Sequence, residues 1–483
     1  MLFNSITFLV FFALVFATYW GAMAQHVKRR NAFILLVSYV FYGWWDWRFL
    51  SLIFVSSLSD YLIGLQLAKA SEGDKSSAKK GWLALSLLIN LGILGTFKYL
   101  NFFLDSLQNS LQALGLESGI SGLHLDWVLP VGISFYTFQT LSYTLDIGRG
   151  QLKPTRDPIA FFAFVSFFPQ LVAGPIERAK DLLPQFSTTP QFDPAAVRSG
   201  FLLALWGLFK KVVIADRLAL VVDSTYGVGG EMGSGTAALA TLLFAFQLYL
   251  DFSAYSEMAI GLARMLGIRL STNFKRPYLA RTFGEFWSRW HISLSTWFRD
   301  YLYIPLGGNR RGTARTWLNI MLVFLVSGLW HGASWNFVIW GGLNGAFLLL
   351  LDPLVLRPLG RLAYVGRPLQ AILVTVCWAL SLVFFRAQGW TGAEQIYLSL
   401  ASSGIDFELM GMSPSEARLL GGLLVGMMGV EILQESRPKA AEWLLSRGTL
   451  VRWLVYWALG MGIILGGSYG LNIADSKFIY FQF

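Results

Sequence analysis

The chain has 483 residues, 55% hydrophobic and 14% charged, against about 45–50% and about 25% in an ordinary soluble domain. With a mean hydropathy of +0.54 and 19 Trp, 39 Phe and 18 Tyr, it is not a disordered, collagen-like or disulfide-framework protein, and the composition argues against a soluble enzyme. One cysteine, Cys377, excludes an internal disulfide and a cysteine metal cluster, and in so apolar a chain the net charge of +10 points to basic loops beside a membrane rather than to nucleic acid.

The first apolar run, Ile6–Trp20, is followed by Ala22-Met23-Ala24, which looks like a signal-peptidase site. Its basic residues, Lys28-Arg29-Arg30, come after the run, whereas a signal peptide carries them in front, so an uncleaved first span is expected. A span needs about 20 apolar residues. Candidates are 5–25, 31–44, 47–68, 81–104, 127–148, 201–222, 236–268, 369–388, 417–434 and 453–471. Segments 69–80 and 149–157 are basic, while 105–126 (with Asp105, Glu117 and Asp126), 223–235 and 389–416 lack Lys and Arg, so the first two are expected inside and the other three outside.

Two apolar stretches fit no simple span. Segment 158–176 has Arg156 before it, Arg178 and Lys180 after it, and Pro169 and Gly174-Pro175 within it. Segment 317–351 lies between Arg315 and Arg357, is too long for one span and too short for two, and bends readily at Gly328, Gly332, Gly341 and Gly342. Both are expected to be re-entrant segments or short hairpins inside the bundle, where protein satisfies irregular backbone. Lys210-Lys211 and Asp216-Arg217 interrupt 201–222, where that span is expected to meet the headgroups. No repeat or linker divides the chain, so residues 1–483 read as one domain: an all-α polytopic membrane protein of about ten spanning helices.

Region 269–316 holds nine basic residues, among them Arg289 and Arg299, and two acidic ones, interleaved with Trp287, Trp290, Trp297, Tyr301 and Tyr303. Phe283, Phe286, Trp290, Leu294, Trp297 and Tyr301 recur at three- and four-residue steps, which predicts one amphipathic cytoplasmic helix in the headgroup layer.

Of four histidines, His26 and His124 read as solvated. His291 lies on the amphipathic stretch, and His331 lies in Ser327-Gly328-Leu329-Trp330-His331-Gly332-Ala333-Ser334-Trp335-Asn336, inside an apolar segment. An ionisable residue at membrane depth usually marks a pathway or an active site. On a continuous helix Ser327, Ser334 and Trp335 share the face of His331. A neutral imidazole accepts a proton from a hydroxyl as that oxygen attacks a carbonyl, help worth about 10²–10⁴ in rate. There is no Gly-x-Ser-x-Gly elbow, no phosphate-binding glycine loop, and no carboxylate at ligand spacing from the histidines, so neither a serine hydrolase, an ATPase nor a metal site is expected. Asp251, mid-way along 236–268, reads equally as a carboxylate pairing helices and as an orienter or proton relay.

The run Phe286-Trp287-Ser288-Arg289-Trp290-His291-Ile292-Ser293-Leu294 through Ile304 resembles a signature of the membrane-bound O-acyltransferase superfamily, and more narrowly of its bacterial alginate O-acetyltransferase branch. So do Gly328-Leu329-Trp330-His331-Gly332-Ala333, Asp251–Gly261, Val172–Ile176 and Pro130–Tyr136; the likeness is strongest from about residue 1 to 350. It implies a helical membrane bundle around an internal tunnel, with His331 catalytic and His291 a second important position. It further implies acyl transfer from a cytoplasmic thioester, here acetyl-CoA with no bound cofactor. In the exopolysaccharide branch the acetyl group crosses the bacterial inner membrane to an extracytoplasmic acetyltransferase partner that modifies a polysaccharide. Expected substrate-binding residues are Arg289, Arg299, Trp290, Trp330, Asn336 and Asp251, the arginines because cations suit the phosphates of CoA. D-Alanyl or other acyl transfer to teichoic acid, lipid or protein is the alternative within the superfamily, and a transporter or proton channel using His331 and Asp251 is the alternative outside it.

Overall fold

The computed structural model describes the chain apart from residues 74–75, 117–122, 126–127, 173, 227–231, 363–364, 403–405, 407–409 and 470–483, so that Lys75, Glu117, Asp126 and Ala173 of the loop and motif readings lie outside the described residues. Among the described residues every regular element is helical. Eight segments are long and apolar enough to cross a membrane: Ile6–Met23, Val27–Ser71, Ser76–Ala113, Ser234–Met265, Thr313–His331, Trp335–Leu359, Gly366–Arg386 and Thr449–Gly466. The protein is therefore an all-α, multi-pass membrane protein. Val27–Ser71 takes in both 31–44 and 47–68. Of the expected spans, 127–148 (helical over Ile133–Gly148), 201–222 and 417–434 fall outside these eight. Ile133–Gly148 has 16 residues and is buried almost throughout, Lys210 and Lys211 interrupt the second, and Pro414–Ser436 carries Glu416, Arg418, Glu431 and Glu435.

The chain forms two compact units, Met1–Phe201 with Ala259–Ser271, and Leu202–Met258 with Thr272–Phe483. In the first, the Ser5 hydroxyl accepts the Phe8 N–H at 3.1 Å and so starts the helix Ile6–Thr18. Its Phe8 and Phe12 pack with Phe41 and Phe168. Lipid gives helices no hydrophobic reason to associate, so buried polar bonds do part of that work. Asp60 accepts from Ser86 and Asn90 at 2.7 Å each, and Asn90 accepts from Ser56 at 2.8 Å and Thr140 at 3.1 Å. These bonds join Leu50–Glu72, Ser76–Leu94 and Ile133–Gly148. Segment 158–176 begins as Pro158–Ser166, capped by Asp157, breaks at Phe167 and resumes as Phe168–Leu171. The apolar helix is too short to cross and lies buried in protein.

In the second unit, 317–351 belongs to a longer element. Thr313–His331 and Trp335–Leu359 form a helical hairpin whose arms are each long enough to span, so the stretch is not too short for two crossings. The apolar count missed the length because Thr313, Arg315 and Asp352 are polar yet helical. The arms touch backbone to backbone: a Cβ on Gly328 would lie 2.2 Å from the Phe337 carbonyl oxygen, and one on Gly341 would lie 2.3 Å from that of Phe324. Glycine is required at both positions.

The single amphipathic helix over 283–303 is also corrected. The backbone forms Phe283–Arg289, then an extended Trp290, then His291 at φ 41°, then Ile292–Phe298 and a wide turn Arg299–Tyr303. Periodicity reports which residues share a face, not whether the backbone runs on. Here Lys275 N–H donates to the Arg289 carbonyl and Ile292 N–H to that of Asn273, each at 2.9 Å, a pairing that a continuous helix forbids. The apolar face does not lie on a headgroup layer: Phe283, Phe286, Trp290, Leu294, Trp297 and Tyr301 are all buried in protein. A third correction concerns Lys210 and Lys211, expected at the headgroups. Both are buried, Lys210 with Glu257 at 2.8 Å and Lys211 with Asp216 at 2.8 Å and Asp251 at 2.7 Å.

Candidate active site

His331 is the last residue of Thr313–His331, and its position follows from the turn after it. Gly332 is extended, and a Cβ there would overlap the Phe337 ring at 2.0 Å, so the chain can leave the helix here only through a glycine. Because the helix stops, Ser334 and Trp335 do not share the face of His331 as the helical spacing predicts. Ser334 instead precedes the next helix, and Trp335 is exposed. The His331 ring is boxed edge-to-face by Trp330 and Trp340, both at 5.0 Å between centroids, and by Phe385 at 5.6 Å.

His291 comes from another element, the break between Phe283–Arg289 and Ile292–Phe298. Its left-handed backbone is costly for a residue with a Cβ, and such strain persists only where surrounding bonds over-determine it. Asn273 supplies those bonds. Its Oδ1 accepts the Ser293 N–H at 3.3 Å and the Ser293 hydroxyl at 2.9 Å, while its Nδ2 donates to Ser256 at 3.1 Å. The Ser293 N–H can only donate, so it fixes the amide with oxygen toward His291. The Nδ1 of His291, 3.1 Å from that oxygen, is then the protonated nitrogen, and Nε2 carries the lone pair. Burial pushes the His291 imidazole down to about 3 from its ordinary 6.5. The two histidine rings stand 6.5 Å apart between centroids, with Trp330 against both and Phe252 packed edge-on to His291 at 4.7 Å.

The depressed value for His291 has a sign that can be measured. Between about pH 6.5 and pH 3 the unfolded chain binds a proton at this position that the folded chain does not, so the stability it supports is full above 6.5 and lost as pH falls. The melting temperature of the wild type minus that of His291→Gln should stay constant above pH 6.5 and shrink below it. A constant difference down to pH 4 would mean that the imidazole is solvated.

The other expected site residues divide. Trp330 belongs to the histidine pair. Trp290 turns into an aromatic core, stacked on Phe286 at 5.6 Å and against Trp378 at 4.8 Å. Asn336 donates to the carbonyls of Gly389 at 2.8 Å and Ala387 at 3.3 Å, tying its helix to the end of Gly366–Arg386. Asp251 is the buried partner of Lys211. Arg289 is held by Glu285 at 2.7 Å and by Glu435 at 2.8 Å, and Arg299, still 59% exposed, lies beside Asp300 at 2.7 Å. Two arginines, Arg289 and Arg276, hold the Glu435 carboxyl down at about 2.

Asn273, Trp340, Phe385 and Asp352 were not legible as site residues. The carboxylate of Asp352 accepts the N–H groups of Phe283 at 2.6 Å and Gly284 at 2.9 Å, capping the helix that leads to His291 from a distant element. No local pattern marks such a cap.

A protein-family model described as MBOAT, the membrane-bound O-acyltransferase family, matches residues 151–357, which include both histidines. The chain is 42% identical over 439 residues, 90% of its length and 86% of the relative's, to a Pseudomonas putida protein named probable alginate O-acetylase AlgI. It is 35% identical to the peptidoglycan O-acetyltransferase of Helicobacter pylori, over 82% of this chain and 79% of that protein. To the teichoic acid D-alanyltransferase of Streptococcus thermophilus it is 28% identical, over 46% of this chain and 56% of that one. Similarity at that level and coverage, on a multi-pass helical chain, makes this protein a member of the membrane-bound O-acyltransferase family and an O-acyltransferase.

Proposed function

We propose that the chain transfers acetyl groups from acetyl-CoA for O-acetylation of an extracellular polysaccharide, from within the bacterial inner membrane, with His331 as general base. The observation that carries the reading is the pairing of His331 with His291 behind one wall of tryptophans, 6.5 Å between ring centroids. As the acceptor oxygen attacks the thioester carbonyl, the C–O bond forms, the C–S bond breaks, and the hydroxyl proton passes to His331 and on to the departing thiolate. His291, with a lone pair on Nε2, positions a hydroxyl or relays its proton. Trp330 bounds the pocket for the acyl group.

The charge pattern supports donor entry from the side of 269–316, with 105–126, 223–235 and 389–416 on the other face. Arg299 is open enough for a CoA phosphate to compete with Asp300, whereas a phosphate at Arg289 would displace two carboxylates. Reversal of Arg299 should therefore weaken acetyl-CoA binding by about 1.5–3 kcal/mol, the worth of a charge-assisted bond. An unchanged dissociation constant removes Arg299 from the donor site.

Both of the broadly similar O-acetyl-transferring relatives are named for glycans, alginate and peptidoglycan, which supports a sugar hydroxyl as the final acceptor. Acetate is favoured over D-alanine because the D-alanyltransferase likeness covers only 46% of the chain. An extracytoplasmic acetyltransferase partner would complete delivery to the polymer. The test is thiol release from acetyl-CoA by the purified full chain in proteoliposomes. Release above that of empty vesicles is expected, with no turnover of a D-alanyl thioester. Turnover of the D-alanyl thioester alone would overturn the choice of donor.

A further inference from the structure

A cleft lies in the first unit, away from both histidines in sequence and in a different compact unit. It encloses about 830 Å³ between the helix Leu50–Glu72 and the loop that follows Ile133–Gly148. Its cations are Lys69, Lys153 and Arg156, and among the described residues no acidic side chain lines it. Among the described residues none of the three cations is in an ion pair. The neighbouring carboxylate, Asp157, caps the next helix through the N–H groups of Ile159 at 3.0 Å and Ala160 at 3.2 Å. The Tyr61 hydroxyl donates to the Arg156 carbonyl at 3.1 Å and so fastens the basic loop to the helix.

The same helix face continues as an apolar stripe. Val55, Leu58 and Leu62 are 49%, 37% and 50% exposed at helical spacing, and they lead to Leu65 and Lys69 at the cleft. From Leu62 to Lys69 the axis rises about 10 Å at 1.5 Å per residue, enough to carry a stripe that lies against hydrocarbon up through a headgroup layer. An exposed apolar stripe ending in three cations that make no ion pair among the described residues has the shape and charge of one amphiphile: two acyl chains below a phosphate.

We infer that this cleft binds an anionic phospholipid, its acyl chains along Val55, Leu58 and Leu62 and its phosphate among Lys69, Lys153 and Arg156. The inference needs the chain only to span a membrane and is independent of the donor, the acceptor and the role of His331. The phosphate chemistry is shared with free phosphate, and the apolar stripe is what selects the lipid.

The test is native mass spectrometry of the full chain in detergent, with phosphatidylglycerol or phosphatidylcholine of the same acyl chains, and with inorganic phosphate as competitor. Phosphatidylglycerol adducts should exceed phosphatidylcholine adducts by at least about tenfold, less than three near-surface cations supply together. The triple variant Lys69→Gln, Lys153→Gln, Arg156→Gln should lose that preference, and Leu58→Ser with Leu62→Ser should weaken both lipids. Should the triple variant fail to purify, Arg156→Gln, an exposed loop position, is expected to lower the preference severalfold on its own. Equal binding of the two lipids, an undiminished preference in the charge variants, or displacement of phosphatidylglycerol by millimolar inorganic phosphate would overturn the lipid site, the last outcome leaving a free-phosphate site in its place.

Discussion

Replacing His331 with Ala should lower acyl transfer by at least about 10²-fold, the lower end of general acid–base contributions. The fold should survive. His331 ends its helix, and the hairpin is held by the Gly328 and Gly341 contacts and by the Asn336 bonds. Its ring is walled by Trp330, Trp340 and Phe385, which also contact one another in part, Trp340 and Phe385 at 5.2 Å. Removing the imidazole therefore leaves a lined cavity. Expression, monodispersity in detergent and melting temperature near the wild type, together with the lost rate, would place the defect in the chemistry. A variant that retained its rate would leave His331 with a structural role. If His291→Ala were inactive beside an active His331→Ala, the two roles would be exchanged.

The largest loss of stability should come from Lys211→Met. Lys211 lies in the wide turn Lys210–Ala215 and faces two carboxylates that are nearly inaccessible, Asp216 and Asp251. Removing one partner of a buried pair strands the other charge, at about 3–5 kcal/mol. Here two carboxylates lose their cation at once, and the neighbouring Lys210 is already engaged with Glu257 at 2.8 Å and Ser253 at 2.8 Å. Asp251→Asn should cost less, because Lys211 keeps Asp216. Thermal unfolding of the detergent-solubilised variants checks the order. A loss below about 1 kcal/mol for Lys211→Met would mean that water replaces the ion pair.

What the sequence made legible follows from which forces act locally. The apolar runs, the helical class and the exceptional setting of His331 are local properties, and they could be read. The family blocks around His291 and His331 were read as well, because both are continuous in sequence. The break at His291 was not, since it depends on the backbone bonds Ile292–Asn273 and Lys275–Arg289, whose partners lie 19 and 14 residues apart, in a stretch that reads only as basic. The cap from Asp352 and the wall from Phe385 are contributed by still more distant helices. The lysines of 210–211 misled for a related reason: a cation in an apolar run reads as a membrane edge until its buried partners, Asp216, Asp251 and Glu257, are seen around it. That same geometry pairs Asp251 with Lys211 at 2.7 Å.

The most direct measurement of the central claim is the rate of acetyl transfer from acetyl-CoA by His331→Gln, measured beside the wild type at neutral pH in matched proteoliposomes. Glutamine keeps the size and hydrogen-bonding capacity of the side chain but accepts no proton. If His331 is the general base, the rate falls as far as it does in His331→Ala, by about 10² or more. A glutamine variant that transfers acetyl at close to the wild-type rate would contradict the account.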